Sequence, residues 1–311
     1  MILDSRFVGT ASVGLVKAEV ERIFGFQSDI KIEEIVHAKN VTDNTEKFFI
    51  HVPNAGNFVF ILSNPMNRLH VLMAVEHTEY IRKNFTAQVG DYVIHHHSQG
   101  SINDQTYAIW PYLESIPNQG LLRRVIRFRL KSRVFQWLFD LNKQSLHVGD
   151  TDHKKQAIAN LERLLQEHGL LKKFGVYIER AIQTLVDGRL KDYRVFSHND
   201  LWPGNIFLCR PLASIRPGLK FVVIDWGGAS QSGHPIFDLA TLTATLTPNQ
   251  QKITSEIHRY QLLLNCERED LMSYYILGLA QILQNLGGMP LESFNSMSER
   301  YTTQFVKILR L

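Results

Sequence analysis

The amino-acid sequence predicts an α+β chain of two lobes, a small strand-rich first lobe and a larger helical second lobe. Three observations carry this. Between Ile30 and His97, apolar residues fall into short runs broken by turn signals, with a single helical stretch among them. After Trp110-Pro111-Tyr112 the apolar period becomes helical. The few strand-like segments that return, at 194–196, 206–209 and 220–224, bracket a loop rich in polar residues. A chain of 311 residues suffices for two moderate lobes sharing a cleft, here 1–112 and 113–311.

The elements follow in order. Val13, Val16, Val20, Ile23 and Phe24 recur at helical spacing and predict a helix over 12–25. Strands are expected over 31–36, 47–52 and 57–62, the last two joined as a hairpin by the turn Pro53-Asn54-Ala55-Gly56. Residues 67–84 read as a helix, and 91–97 with 106–110 as a second hairpin. Helices are expected over 120–141, 153–168 and 172–187, and again from Ile236 to the end, broken at Pro248, Gly287-Gly288 and Pro290.

Composition excludes several classes. With 44% hydrophobic and 21% charged residues the chain reads as an ordinary globular protein, neither disordered nor membrane-embedded. Asp4, Lys17, Glu19 and Glu21 interrupt the N-terminal segment, so no signal peptide is read there, and the longest apolar stretches fall short of a bilayer. Cys209 and Cys266 stand outside any CxxC pair or zinc spacing, which fits a reduced, cytoplasmic setting. The net charge of +4 is small for this length. Its densest basic cluster, Arg123, Arg124, Arg127, Arg129, Lys131 and Arg133, reads as a solvated helix face rather than a polyanion site, since no nucleic-acid motif accompanies it. His95-His96-His97 alternate faces as a strand end would, and so do not converge on a metal.

The chemistry concentrates in Ser197-His198-Asn199-Asp200-Leu201-Trp202-Pro203-Gly204-Asn205, followed by the buried-strand run Phe221–Ile224 and then Asp225-Trp226-Gly227. Phosphoryl transfer requires a carboxylate that orients the acceptor hydroxyl and takes its proton, and Asp200 suits that role. It also requires Mg²⁺, which favours hard oxygen donors and retains waters, so one amide (Asn205) and one carboxylate (Asp225) suffice. His198 is expected to support the loop through hydrogen bonds. Each residue alone has a plainer reading as a turn former or helix cap. The ordered combination makes coincidence a poor explanation.

The segments HNDLWPGN and IDWGGA resemble the aminoglycoside phosphotransferase and choline kinase family, within the protein-kinase-like fold. The resemblance is strongest over 195–240. It implies a kinase moving the γ-phosphoryl group of ATP or GTP to a hydroxyl of an amino alcohol, sugar or aminoglycoside, with a nucleotide and a small hydroxylated substrate as its partners. It also implies that Asp238, in His234-Pro235-Ile236-Phe237-Asp238-Leu239-Ala240, starts a helix and braces the catalytic loop. Only twelve residues separate Asp225 from Asp238, too few for the activation loop of a protein kinase, and no Ala-Pro-Glu follows.

The sequence departs from that family in the first lobe. The position of the family's phosphate-gripping strand lysine falls near Ile61, and the candidate phosphate-covering turn, 41–46, has no glycine, with Asn44 as a stand-in. Another cation replaces the lysine (Lys47 first, Arg68 second), or the strand register differs, or the chain is a non-catalytic nucleotide-binding scaffold. Glu76, then Glu79, is the candidate partner for the cation, against a plain solvated reading. Trp110 and Tyr112 lie on the expected linker that receives the purine edge. Trp202, Trp226, Tyr274 and Tyr275 are candidates for an acceptor site beside the acidic Glu267, Glu269 and Asp270, although aromatic residues at such spacings more often belong to a core.

Overall fold

The computed structural model describes residues 8–25, 29–35, 45–64, 68–115, 120–167, 174–208, 221–246, 249–286 and 289–311. Most of the turn expected at 41–46, Asn44 included, lies outside these residues, as do Cys209, Pro248, Gly287-Gly288 and the side chains of Arg123, Arg124, Arg127 and Arg129.

Helix α1 (Val8–Phe24) precedes strands β1 (Lys31–Glu34), β2 (Thr45–Val52) and β3 (Gly56–Ser63). Helix α2 (Leu69–Asn84) and the short α3 (Ala87–Gly90) follow, then β4 (Ser98–Ile102) and β5 (Gln105–Pro111). The five strands form one antiparallel sheet in the order β1-β2-β3-β5-β4. Alternation along β3 sorts its side chains between two faces. Phe58, Phe60 and Leu62 join Phe48, Ile50, Tyr107 and Ile109 in a core closed by Val16 and Val20 of α1. Val59 and Ile61 turn to the other face and line the interlobe cleft.

The second hairpin differs from expectation in its first strand. Residues 91–97 run as a connection, touching the second lobe where Val93 bridges Val223, and the partner of β5 is Ser98–Ile102. That edge strand, Ser-Gln-Gly-Ser-Ile, has almost no apolar alternation to detect. Its turn residues Asn103 and Asp104 both have positive φ, the conformation a tight two-residue hairpin requires. Gly100 is required in the strand because a Cβ there would lie 2.5 Å from the Tyr107 hydroxyl.

The second lobe begins with β6 (Glu114–Ser115) and the long helix α4 (Gly120–Ser145). It continues through β7 (His147–Val148), α5 (Thr151–Glu167), α6 (Gly175–Val186), β8 (Tyr193–Ser197), β9 (Ile206–Leu208), β10 (Phe221–Val223) and β11 (Ser230–Gly233). Helices α7 (Phe237–Leu246), α8 (Gln250–Leu264), α9 (Arg268–Gln284) and α10 (Leu291–Leu309) complete it. Two small sheets, β10-β9-β6 and β11-β8-β7, carry the polar loops. Beneath them lies a large core including Trp137, Phe196, Trp226, Phe237, Tyr260 and Tyr275. Among the described residues no helix is long and apolar enough to cross a membrane.

Candidate active site

A cleft of about 340 Å³ lies between the sheet and the second lobe. Its apolar walls include Val59, Ile61, Ile94, Phe207 and Ile224, with Trp110 and Tyr112 at the linker end. Its ionisable lining among the described residues, Tyr112 apart, is Lys47, His70 and Asp225. The Tyr112 backbone N–H donates to the Asn57 carbonyl (2.9 Å), so that N–H is taken up by the sheet.

Strand pairing explains how residues twenty positions apart meet. Strands β9 and β10 are antiparallel with Val223 opposite Ile206. Asn205, one residue before β9, therefore falls beside Ile224 and Asp225, and the Ile224 N–H donates to the Asn205 carbonyl at 3.0 Å. The Asn205 amide donates to the Asp200 carbonyl oxygen (2.8 Å) and to the Asp200 carboxylate (2.9 Å). Those bonds use its NH₂ and leave Oδ1, the atom a hard cation would take, outside them.

His198 is buried, and its two nitrogens have distinct partners. Nε2 donates to the Ile224 carbonyl (2.9 Å), and Nδ1 accepts from the Asp200 N–H (3.3 Å). The ring thus ties the loop to the strand that delivers Asp225, and packs 4.5 Å from the Trp226 ring. Asp238, in the first turn of α7, accepts from the His198 N–H (2.7 Å), the Asn199 N–H (3.0 Å) and the Ser197 hydroxyl (3.1 Å). These bonds hold Asn199 at φ 65°, a left-handed conformation that Asn tolerates better than most residues. Asp225 is left-handed as well, at φ 65° and ψ 60°.

The electrostatics follow from these neighbours. Burial pushes the Asp200 carboxyl up, His198 and the Asn205 amide oppose this, and the negative Asp225 adds to it, so the balance is a raised pKa. Asp200 nevertheless remains an exposed residue. Burial also pushes Asp225 up, but His70, with His198 and Lys47, more than offsets it and holds that carboxyl below its ordinary value. Its side chain remains 46% exposed, toward the cleft. Burial raises Asp238, and its contacts with His198, Ser197 and Asn199 offset this only in part.

Lys47 stands directly across from Ile61 in the β2–β3 ladder, and both line the cleft. Arg68 lies elsewhere: its guanidinium is 4.0 Å from Asp104 at the β4–β5 turn. Glu76 is exposed and does not line the cleft, and Glu79 pairs with His96 at 3.5 Å. The face of α2 toward the cleft carries His70, Val71, Ala74 and Thr78 instead. His70 lies 3.6 Å from Asp225, a contact no sequence motif signalled.

The aromatic candidates for an acceptor site divide. Trp226, Tyr274 and Tyr275 are buried; the Tyr274 hydroxyl donates to the Lys191 carbonyl, and Tyr275 meets Thr302. Glu267 and Asp270 form the capping box of α9. Trp202 is 45% exposed beside the loop. A polar groove of about 480 Å³ runs instead along α10, past Glu292, Ser293, Ser296, Arg300 and Tyr301. The Asp200 carboxylate is close enough to Tyr301 to raise its phenol pKa, after burial, which is the larger cause.

The arrangement provides a carboxylate with raised proton affinity, an adjacent amide and carboxylate of hard oxygen character, and a nearby lysine. Comparison with known proteins agrees in kind. In fold, the chain is similar to a macrolide 2′-phosphotransferase of Brachybacterium faecium (TM-score 0.54, 12% identity, covering 93% of this chain and 98% of that one). It is also similar to a choline/ethanolamine kinase family protein of Mesorhizobium loti (TM-score 0.52, 11% identity, 96% and 95%). No curated protein matches the chain in sequence. The model of the phosphotransferase enzyme family (APH) matches residues 88–262, more than half of the chain. The chain therefore belongs to this family of phosphotransferases that act on hydroxyl groups, built on the two-lobed protein-kinase-like fold.

Proposed function

We propose that the chain is a small-molecule kinase that transfers the γ-phosphoryl group of ATP or GTP to a hydroxyl of a small metabolite, with Mg²⁺ as cofactor. The observation that carries this reading is the meeting of Asp200, Asn205 and Asp225 at one edge of an open interlobe cleft. The lobes divide after Tyr112, and the nucleotide base lies between the apolar walls near Trp110 and Tyr112.

The donor set suits a hard cation: an amide oxygen and a carboxylate, with no cluster of three or more His, Cys, Asp or Glu among the described residues. Such a site needs nucleotide phosphates and waters to complete its coordination. When bound, Mg²⁺ offsets charge on the transferring phosphate. Asn205 and Asp225 would hold it, and Lys47 would supply positive charge to the phosphates. Asp200 accepts the proton of the acceptor hydroxyl, and its raised pKa suits a base. His198 and Asp238 keep the loop in register. The acceptor enters from the side of α10, whose Tyr301 feels the charge of Asp200. The polar, mixed-charge groove there favours a polyhydroxylated or amino-bearing acceptor.

Ile61, apolar where the family resemblance expects a lysine, favours one alternative: a nucleotide-binding scaffold without turnover. Phosphoryl transfer from ATP or GTP with Mg²⁺ to a panel of amino alcohols, sugars and aminoglycosides, for the wild type and Asp200→Ala, separates the two. Turnover that is lost in the variant supports the kinase. Nucleotide binding with no transfer to any acceptor supports the scaffold.

A further inference from the structure

We propose that His70 is a positioning residue for the metal-binding carboxylate: it holds Asp225 aimed into the cleft and, with His77, fastens helix α2 to the turn that follows Asp225. The inference rests on reading this cleft as a metal–nucleotide centre.

Four observations converge. His70 Nε2 lies 3.6 Å from Asp225 Oδ1, where it can restrain one carboxylate oxygen and leave the other for a cation. The His70 ring rests against Gly227, so closely that a Cβ there would lie 2.3 Å from its Cε1. His77, two turns further along α2, donates from Nδ1 to the Trp226 carbonyl at 2.9 Å, so the two histidines hold adjacent residues of one short turn. Finally, the face of α2 toward the cleft carries His70, Val71, Ala74 and Thr78, and Asp225 is the carboxylate that lines the cleft among the described residues.

A left-handed Asp225 needs its orientation held by the surrounding structure. A carboxylate that binds a metal is typically fixed by a hydrogen-bonding neighbour, and loss of such a neighbour weakens metal affinity by about 10–100-fold. His70, with Nε2 3.6 Å from the carboxylate and just outside hydrogen-bond distance, is the cleft-lining residue placed to close onto it. It also makes the geometry of the metal site depend on how α2 is seated, so the first lobe and the metal site move together.

The test uses the full chain with ADP and follows free Mn²⁺ by electron paramagnetic resonance, with ADP affinity in EDTA measured by calorimetry. His70→Ala is expected to weaken Mn²⁺ binding by about 10–100-fold while changing metal-free ADP affinity much less. His70→Gln, which keeps an N–H at similar reach, recovers most of the loss and covers the case in which the alanine variant folds poorly. Gly227→Ala displaces the ring with His70 chemically intact, so it weakens Mn²⁺ binding similarly, and the double variant is no worse than His70→Ala. Wild-type Mn²⁺ affinity in a folded His70→Ala, an equal loss of metal-free ADP affinity, or additive effects of the two substitutions each overturn the role of His70. A wild type that binds no Mn²⁺ in the presence of ADP overturns the metal–nucleotide reading itself, and this inference with it.

Discussion

Lys47 and Ile61 are cross-strand partners: the lysine projects into the cleft from β2, directly opposite an isoleucine on β3. Directly opposed residues of an antiparallel pair point to the same face, with Cβ atoms about 5 Å apart. A four-carbon lysine stem spans that offset, so a cation rooted in either strand reaches the same part of the cleft.

Exchanging the two positions tests this. Lys47→Met is expected to lower kcat/KM for the nucleotide by about 10²–10³-fold, the usual loss when one preorganised charge stabiliser is removed. Adding Ile61→Lys to that variant should restore at least part of it. Steady-state kinetics with varied nucleotide decide the matter; a Lys47→Met enzyme with unchanged kinetics would show that the phosphates are gripped elsewhere.

Asp200→Asn preserves shape and removes the base. The expected result is a fall in kcat of about 10²–10⁴-fold with nucleotide KM nearly unchanged. Single-turnover measurements check that the loss lies in transfer. A comparable loss in nucleotide affinity would instead assign Asp200 to binding.

Asp238→Ala leaves the buried His198 N–H and the half-buried Asn199 N–H without their acceptor, whereas the Ser197 hydroxyl keeps Asn199 Oδ1 at 2.6 Å. Each buried unsatisfied group costs about 1–3 kcal/mol, so Tm should fall by about 5–10 °C. Asp238→Asn retains an accepting oxygen and should lose less. Calorimetric melting of both variants provides the comparison, and a Tm equal to that of the wild type would remove Asp238 from its bracing role.

Glu19 fixes α1 to the sheet. Its carboxylate accepts from Arg22 (2.6 and 3.0 Å) and from the Tyr107 hydroxyl. The Arg22 guanidinium lowers the Glu19 pKa, burial opposes this, and Tyr107 lowers it further. A depressed folded-state pKa means that the stabilisation is complete above the ordinary value of 4.5 and is lost as pH falls through the lowered one. Urea midpoints should therefore drop below that pH, and Glu19→Gln should flatten this part of the profile. An unchanged slope in the variant would show that other carboxylates govern acid unfolding.

Much of the architecture was legible in the linear order of residues. Apolar periodicity marks α1, β2, β3 and α2, because their buried faces repeat at 2 or 3.6 residues. The sequence also marks out His198, Asp200, Asn205, Asp225 and Asp238, because a loop between short strands is a recognisable local pattern. It does not reveal β4, a polar edge strand whose pairing comes from backbone hydrogen bonds and a two-residue turn. Nor does it reveal which side of α2 faces the cleft. Glu76 is the natural choice by residue type, but the docking of α2 on the Trp226–Gly228 turn rotates Glu76 to solvent and brings His70 against Asp225. Likewise, Tyr274 and Tyr275 look equally suited to a ligand cage or a core in one dimension, and helix packing buries both. Local sequence determines which chemistry the chain carries, since that depends on residue type and short spacing. The tertiary structure decides which helix face and which strand supply the groups around it, since that depends on the packing of segments far apart in the chain.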